Sequence, residues 1–265
     1  MLLARRQAPQ RQPSNSIMRL FTFGSLFAGI GGLDLGLERA GMTCKWQVEN
    51  DGYCQRVLSK HWPNVTRYSD VHDVGEHNLE AVDLICGGFP CQPVSLAGKR
   101  QGQADPRWLW PEFARIIAEL RPRYVLVENV PGLYSQGFGD ILVDLAKSGY
   151  DAEWDCIPAA AFGAPHLRYR VFVVAHSQCK RFNQKNKHQK GPFARCHWLS
   201  RWKTWSSEPD VGRVAYGISD RVAKLRALGN AIVPQVAEWI GSRIMAGDEN
   251  DDDAERRCTD SLTPC

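Results

Sequence analysis

The sequence predicts an α/β protein built on a mostly parallel sheet, because short apolar runs alternate with amphipathic stretches over most of its length. The apolar runs are typical of buried strands and read FTFGSLFA, TCKWQVE, AVDLICG, YVLVEN and RVFVVAH. Helices are predicted between them, from about Gly32 and over Tyr53–His61, Phe113–Leu120 and Ile141–Lys147. Strands that alternate with helices form a sheet covered on both faces, so we expect a Rossmann-like core.

This alternation stops after Ser177 and resumes only near Ser219. The segment from Gln178 to Trp205 holds eight Lys or Arg residues, no acid and five aromatic residues, which predicts a small basic region inserted into the core. A final helix is expected after Pro234. The predicted divisions are a disordered extension at 1–17, the core at 18–177, the small region at 178–218, a return to the core at 219–246 and a disordered acidic tail at 247–265.

Composition narrows the class of protein without identifying it. The net charge of +4 is compatible with a nucleic-acid ligand, but many other enzymes share it. The nine cysteines are irregularly spaced without a CxxC pair, which favours reduced thiols in the cytoplasm over a disulfide framework. No apolar stretch approaches the roughly 18 residues of a transmembrane helix. The first residues, which are Arg-rich and acid-free, resemble a transit peptide as well as a disordered extension.

A glycine-rich loop follows the first predicted strand, in the sequence Leu-Phe-Ala-Gly-Ile-Gly-Gly that ends at Gly32. Glycines at such a strand-to-helix turn let the backbone approach a nucleotide-like ligand. Asp34 stands where the last glycine of the dinucleotide fingerprint belongs, which argues against NAD. Glu49 ends the next strand, where an acid can accept hydrogen bonds from ribose hydroxyls, and Asp70 could contact an adenine edge. Each acid alone could instead be a helix cap.

A second glycine-flanked loop, Gly-Gly-Phe-Pro-Cys-Gln-Pro, follows the strand that contains Ile85 and ends at Pro93. Ligands bind beyond the carboxyl ends of strands in such folds, so Cys91 can face a substrate. The alternative for a single cysteine is a small buried apolar side chain. The surrounding Pro and Gly residues favour the exposed, functional interpretation.

Four motifs now occur together, in the order FAGIGG, PCQ, Glu128-Asn129-Val130 and Gly229-Asn230, over the chain from about Ser25 to Gln235. In this order the sequence resembles the DNA cytosine-5 methyltransferase family. The resemblance implies S-adenosylmethionine as the cofactor and no catalytic metal. The cofactor-binding residues that it implies, together with the loop and acids above, are Phe27, Ala28, Gly29, Ile30, Gly31, Glu49, Asn50, Asp70, Val71, Pro90, Asn230 and Ala231.

The resemblance also implies a catalytic set of Cys91, Glu128, Arg168 and Arg170. Carbon 5 of cytosine is a poor nucleophile, so a thiolate must first add to carbon 6, and Cys91 suits that role. Glu128, as a protonated acid, would stabilise the charge that develops at ring nitrogen 3, which requires burial to raise its pKa. The two arginines resemble the family's Gln-x-Arg-x-Arg motif, with His166 in place of the glutamine.

DNA contacts are expected from two further segments. A cytosine in a duplex is stacked, so the target base should be flipped into the site, and the loop after Cys91 resembles the family's lid. The basic region at 178–218 resembles a short target-recognition region, whose cationic residues would contact phosphates without reading sequence. Its Trp198, Trp202 and Trp205 are expected to pack together rather than touch bases. The predicted DNA-binding residues are Gln92, Ser95, Lys99, Arg100, Lys180, Arg181 and Arg201.

The sequence leaves several alternatives open. The leading hypothesis is a monomeric modification enzyme for double-stranded DNA in a bacterium or a phage-infected cell, paired with a restriction endonuclease or protecting a phage genome. A branch of the same family methylates transfer RNA, and some relatives bind DNA without catalysis. A nicotinamide oxidoreductase is disfavoured by the incomplete glycine fingerprint. Two Cys and two His residues of the basic region could suggest zinc, but their spacing matches no familiar site.

Overall fold

The computed structural model describes residues 20–90, 108–177 and 221–260. They form a seven-stranded sheet with helices on both faces. The strands are β1 (Thr22–Leu26), β2 (Thr43–Val48), β3 (Thr66–Tyr68), β4 (Leu84–Gly87), β5 (Tyr124–Asn129), β6 (Tyr150–Pro158) and β7 (Tyr169–Ser177). The helices are α1 (Gly32–Arg39), α2 (Gly52–His61), α3 (Trp110–Leu120), α4 (Phe138–Lys147), α5 (Arg221–Asn230) and α6 (Pro234–Asp260).

The strand order is β3-β2-β1-β4-β5-β7-β6, so the chain runs outward from β1 in both directions. Strands β1 to β5 pair in parallel, whereas β7 pairs antiparallel to both β5 and β6. Because β7 is reversed, its first residues lie at the sheet edge where the other strands end. The predicted mostly parallel α/β sheet is confirmed, and this reversal adds the start of β7 to the edge where ligands bind.

Each face of the sheet has its own apolar core. On one face α3 and α4 bury their apolar side, including Phe113, Ile116 and Ile141, each 0% exposed. On the other face α1 and α6 pack together through Leu37 and Ile240. This second contact is close, because a Cβ atom at Gly36 of α1 would lie 2.4 Å from the Cβ of Ala237 and from a backbone oxygen of α6. Only a glycine there allows the two helices to pack at this distance.

Helix α6 continues to Asp260, so it overlaps part of the segment predicted as an acidic tail at 247–265. Asp248, which sequence analysis assigned to that tail, is only 8% exposed. Its Oδ2 accepts a hydrogen bond of 3.1 Å from Nη1 of Arg123, which lies just before β5. The ion pair attaches the helix to the core beyond Gly247, and composition alone did not reveal a partner so far away in sequence. Residues 1–19 and 178–220 lie outside the described ranges, as do 261–265.

Two further expectations concern the described part of the chain. None of its helices is both long enough and apolar enough to span a membrane. Among the described cysteines, Cys44, Cys54, Cys86 and Cys156 are free thiols.

Candidate active site

The candidate site lies at the carboxyl edge of the parallel strands. The glycine loop follows β1, Glu49 follows β2, the segment Gly88–Pro90 follows β4, and Glu128 is the next-to-last residue of β5. Reversal of β7 brings Arg168 and Arg170 to the same edge. The fold therefore gathers residues that are up to about half the chain apart at one edge of the sheet.

The glycine loop turns through three residues with positive φ. Phe27 has φ 54°, Gly29 has φ 56° and Gly31 has φ 81°. A Cβ at Gly31 would lie 2.4 Å from the Trp62 ring, so this glycine is required for packing. At Gly29, by contrast, a Cβ would meet nothing within 4 Å. The backbone of Gly29 therefore borders open space, as a loop that approaches a ligand must.

Glu49 holds this loop in place. Its Oε2 accepts a 2.7 Å hydrogen bond from the Gly29 amide, and its Oε1 accepts one of 2.8 Å from the Asp51 amide. The side chain is largely buried, at 9% exposure of the residue. Burial raises the pKa of Glu49, while the two amide donors oppose that rise. Each carboxylate oxygen keeps a second lone pair that a ribose hydroxyl could use.

Asp70 and Val71 lie beyond β3, next to the same edge. Asp70 is exposed, and its Oδ1 accepts a hydrogen bond of 2.9 Å from the His72 amide and pairs at 2.6 Å with Nδ1 of the same histidine. These hydrogen bonds lower the pKa of Asp70. The Asp70 side chain thus caps a short 3-10 turn at Val71–Asp73, which was the alternative for this acid in the sequence. Val71 itself is buried in the core.

The loop after β4 is fixed by aromatic packing and one amide side chain. Phe89 is 2% exposed, and its ring centroid lies 5.1 Å from that of Trp108 and 5.9 Å from that of Trp110. Nδ2 of Asn129 donates a 3.2 Å hydrogen bond to the Phe89 carbonyl, while its Oδ1 accepts from the Val130 amide at 2.9 Å. Asn129 therefore ties the end of β5 to the residues that immediately precede Pro90.

Glu128 forms the second buried carboxylate of the site. Its Oε1 lies 3.0 Å from Nε of Arg170, and both side chains are mostly buried, with exposures of 13% and 17%. Burial raises the pKa of Glu128 to about 7, and the charges of Arg170 and Arg168 oppose that rise. A Cβ at Gly88 would lie 2.5 Å from Oε2 of Glu128, so the loop after β4 passes directly over this acid.

Arg168 joins the start of β7 to the end of α5. Its Nη2 donates a 2.7 Å hydrogen bond to the Gly229 carbonyl and a second, shorter one to the Ala231 carbonyl. Asn230, a predicted cofactor residue, lies between these two acceptors. Partial burial and the neighbouring Arg170 lower the pKa of Arg168. The residue has φ 37°, an uncommon backbone conformation that its two carbonyl contacts hold in place.

The described residues fit an adenosine-containing cofactor at the β1–β2 side of the edge. An open backbone at Gly29 adjoins a buried carboxylate that retains acceptor capacity, and these are the features expected beside a ribose. Among residues 20–90, 108–177 and 221–260, no cluster of three or more His, Cys, Asp or Glu side chains is arranged to hold a metal ion. Eight predicted residues lie outside these ranges: Cys91, Gln92, Ser95, Lys99, Arg100, Lys180, Arg181 and Arg201.

Three groups shape the site without a role predicted from the sequence. Asn129 belongs to the Glu128-Asn129-Val130 motif, and its side chain also holds the Phe89 carbonyl. Asp34 is fully buried under the glycine loop, where its carboxylate accepts from Ser25 at 3.0 Å and Gln47 at 2.8 Å. Arg115 of α3 contacts the backbone near Val71. For Asp34 the available signal was an acid among the apolar residues of α1, whereas Arg115 lies between Glu112 and Glu119 on the charged face of α3 and gave no such signal.

Comparison with known proteins agrees with this arrangement. Residues 21–198 match C-5 cytosine-specific DNA methylase. The chain is 35% identical over 167 residues to the Type II methyltransferase M.HgiCII of Herpetosiphon aurantiacus, covering 61% of this chain and 38% of that protein. It is 38% identical over 161 residues to the Type II methyltransferase M.NgoMIV of Neisseria gonorrhoeae, covering 58% of this chain and 51% of that protein. The chain thus spans about two fifths to one half of these relatives.

Solved structures show the same fold. One is described as a DNA modification methyltransferase encoded within a prophage of E. coli; it has a TM-score of 0.51 and 29% identity, covering 59% of this chain and 47% of that one. Another is a Spodoptera frugiperda DNMT2 variant with a TM-score of 0.52, 20% identity and coverage of 71% and 56%, which supports the fold alone. Because the family match extends over most of the sequence and includes the strands that build the site, the chain belongs to the C-5 cytosine-specific DNA methylase family.

Proposed function

We propose that the protein transfers a methyl group from S-adenosylmethionine to carbon 5 of cytosine in double-stranded DNA. The observation that carries this proposal is the buried Glu128, whose pKa is raised to about 7 and which lies at the same sheet edge as the Gly29–Glu49 cradle. An acid that can hold a proton near neutral pH is what the pyrimidine ring needs when a nucleophile adds to it.

The β1–β2 side of the cleft binds the cofactor in this proposal. S-adenosylmethionine supplies an electrophilic methyl group when bound. Glu49 accepts hydrogen bonds from the ribose hydroxyls, and the open backbone at Gly29 lets the ligand lie against the loop. The remaining predicted contacts come from the loops that border this cradle, and they are Phe27, Ala28, Ile30, Gly31, Asn50, Asp70, Val71, Pro90, Asn230 and Ala231.

The β4–β5–β7 side binds the base. Cys91, the residue after Pro90, adds as a thiolate to carbon 6 of cytosine, and the electron pair moves toward ring nitrogen 3. Glu128 donates its proton to that nitrogen, and Arg170 holds the resulting carboxylate by the 3.0 Å ion pair. Carbon 5 can then accept the methyl group. Loss of the carbon 5 proton to solvent, departure of the thiolate and return of the nitrogen 3 proton to Glu128 restore the aromatic ring and free the enzyme.

DNA must present an unstacked cytosine to this cleft, so we propose base flipping. Gln92, Ser95, Lys99 and Arg100 belong to the segment that would close on the flipped base. Lys180, Arg181 and Arg201 would contact phosphates from the basic region.

The names of the curated relatives support a role in restriction and modification. Both M.HgiCII and M.NgoMIV are called Type II methyltransferases. We therefore propose that the protein works in the cytoplasm as a monomer and protects DNA from a cognate restriction endonuclease or protects a phage genome.

Methyl transfer tests the proposal directly. The protein is incubated with labelled S-adenosylmethionine and either unmethylated duplex DNA or transfer RNA, and 5-methylcytosine is then mapped at base resolution. We expect incorporation into duplex DNA at one short sequence. Incorporation into transfer RNA alone would show that transfer RNA, and not duplex DNA, is the substrate. Binding of DNA and cofactor without any incorporation would identify a non-catalytic relative.

A further inference from the structure

Arg115, which is not part of the proposed catalytic set, binds the backbone of the loop that follows β3, beside the proposed cofactor site. Nη2 of Arg115, on α3, donates to the Val71 carbonyl at 3.1 Å and to the Val74 carbonyl at 2.9 Å. Two carboxylates on the same helix hold the rest of the guanidinium, with Nε 2.8 Å from Glu112 and Nη1 2.8 Å from Glu119. Each of the three guanidinium nitrogens of Arg115 therefore has an acceptor. Two of the hydrogen bonds are made to the loop between Val71 and Glu76.

Glu119 extends this grip further along the loop. Its Oε2 accepts a 3.1 Å hydrogen bond from the Glu76 amide. The loop passes very close to the pair, because a Cβ at Gly75 would lie 2.3 Å from Oε2 of Glu119 and 3.1 Å from Nη1 of Arg115. Arg115 and Glu119 together fix both carbonyls and an amide between Val71 and Glu76, and we call these two side chains the α3 clamp.

The helix that bears the α3 clamp is itself held rigidly in the core. Its Phe113 and Ile116 are 0% exposed and its Ile117 is 1% exposed. The clamp therefore adds polar contacts to a loop whose Val71 and Val74 are themselves buried in this core, next to the exposed Asp70. That loop begins at Asp70, whose own Oδ1 caps the turn at Val71–Asp73 through the His72 amide.

We propose that Arg115 is a positioning residue for the nucleobase of the cofactor. Its hydrogen bonds to the Val71 and Val74 carbonyls fix the position of the loop that begins at Asp70. Asp70 is thereby held where its carboxylate can contact the adenine edge, and the site selects adenine over other bases. This inference rests on the proposed function, since it assumes S-adenosylmethionine in the cradle. It predicts a loss of base discrimination, which a general loss of stability does not produce.

Calorimetry with two ligands tests this role without any measurement of activity. S-adenosylhomocysteine carries the adenine amino group, and S-inosylhomocysteine has an oxygen in its place. We expect the full chain to bind the adenine compound more tightly. In Arg115→Met the affinity for the adenine compound should fall about tenfold, which corresponds to about 1.4 kcal/mol, while that for the inosine compound changes little.

Two variants and one control keep the test decisive. Arg115→Lys retains a cation beside Glu112 and Glu119 but lacks the planar fork, so it should lose discrimination by a smaller factor even if Arg115→Met does not fold. Arg39→Met removes another helix arginine with a carboxylate neighbour, Glu238 at 4.0 Å, and should bind both ligands as the unaltered chain does. Thermal unfolding of each variant monitors the fold.

The outcomes separate the two proposals. If the unaltered chain binds the ligands and Arg115→Met or Arg115→Lys weakens both equally, or neither, the positioning role is overturned and the proposed function stands. If the unaltered chain binds neither ligand, the proposed function fails, and this inference fails with it.

Discussion

The two sides of the cleft each contain a buried carboxylate, but they hold it by different means. Glu49 accepts hydrogen bonds from two backbone amides, those of Gly29 and Asp51. Glu128 lies against the guanidinium of Arg170 and beneath the loop at Gly88. Burial raises the pKa of both acids, yet the amides around Glu49 cannot change charge or swing away, whereas the partner of Glu128 is a side chain.

One side is therefore suited to binding and the other to chemistry. Backbone donors fixed by a glycine loop give a preorganised acceptor for a ligand that is exchanged intact. A buried acid whose pKa is near 7 can hold or release a proton in response to the base. Substitutions on the two sides should therefore separate cofactor affinity from turnover, and three predictions test that separation.

The largest effect is expected at Cys91. Cys91→Ala should reduce methyl transfer to background because no other group is proposed to add to carbon 6, while cofactor affinity stays nearly unchanged. Labelled methyl incorporation and calorimetry measure the two quantities. Cys156→Ala, which alters a half-buried thiol on β6, is the matched control. Retained turnover in Cys91→Ala would reject this cysteine as the nucleophile.

Glu128 is next, and its effect should depend on pH. The pKa of about 7 means that the acid form predominates below that pH and is lost as pH rises through it. We therefore expect a descending limb in kcat near pH 7. Glu128→Gln should lower kcat by roughly 10²- to 10⁴-fold and remove that limb. The pH profile of single turnovers checks this.

Glu153→Gln, on β6, is the control for Glu128 and should keep both the rate and the limb. A Glu128→Gln enzyme that retains the wild-type limb would show that another group titrates there. A large loss of cofactor affinity in the same variant would show that the two sides of the cleft are not separate.

The smallest of the three effects is expected at Glu49. Glu49→Ala leaves the Gly29 and Asp51 amides without their acceptor, so the dissociation constant for the cofactor should rise roughly 10- to 100-fold. At saturating cofactor, kcat should remain near that of the unaltered protein. Calorimetry and initial rates measure the two effects, and Glu38→Ala, at the exposed end of α1, is the control. Unchanged affinity would remove Glu49 from the cofactor site.

The sequence predicted most of the parallel sheet because buried strands and amphipathic helices leave local patterns. It placed helices at Gly32, Tyr53–His61, Phe113–Leu120 and Ile141–Lys147, all within or close to observed elements. It did not identify β6, because the pattern YDAEWDCIP has charged residues on an edge strand and no continuous apolar run. Reversal of β7 was also not predicted, since periodicity gives no strand direction.

The site was predictable where one motif follows one strand, and less so where distant segments meet. The sequence placed Glu49 at the end of a strand, and the role of Glu128 followed from the family resemblance. Arg115 gave no such indication, because its role depends on how α3 meets the loop after Val71. The ion pair of Asp248 with Arg123 is similar, since it links residues 125 positions apart and was hidden in an acidic stretch.

The close packing of α1 against α6 has a consequence for synthesis of the protein. Gly36 and Ala237 interlock, yet α1 emerges from the ribosome early and its partner near the end of the described chain. At typical elongation rates, α1 waits on the order of ten seconds or more for the helix that covers it. The glycine loop, which leads into α1, should thus reach its final structure only after Pro234–Asp260 has been translated. A nascent chain that stalls earlier would expose the apolar face of α1 to chaperones.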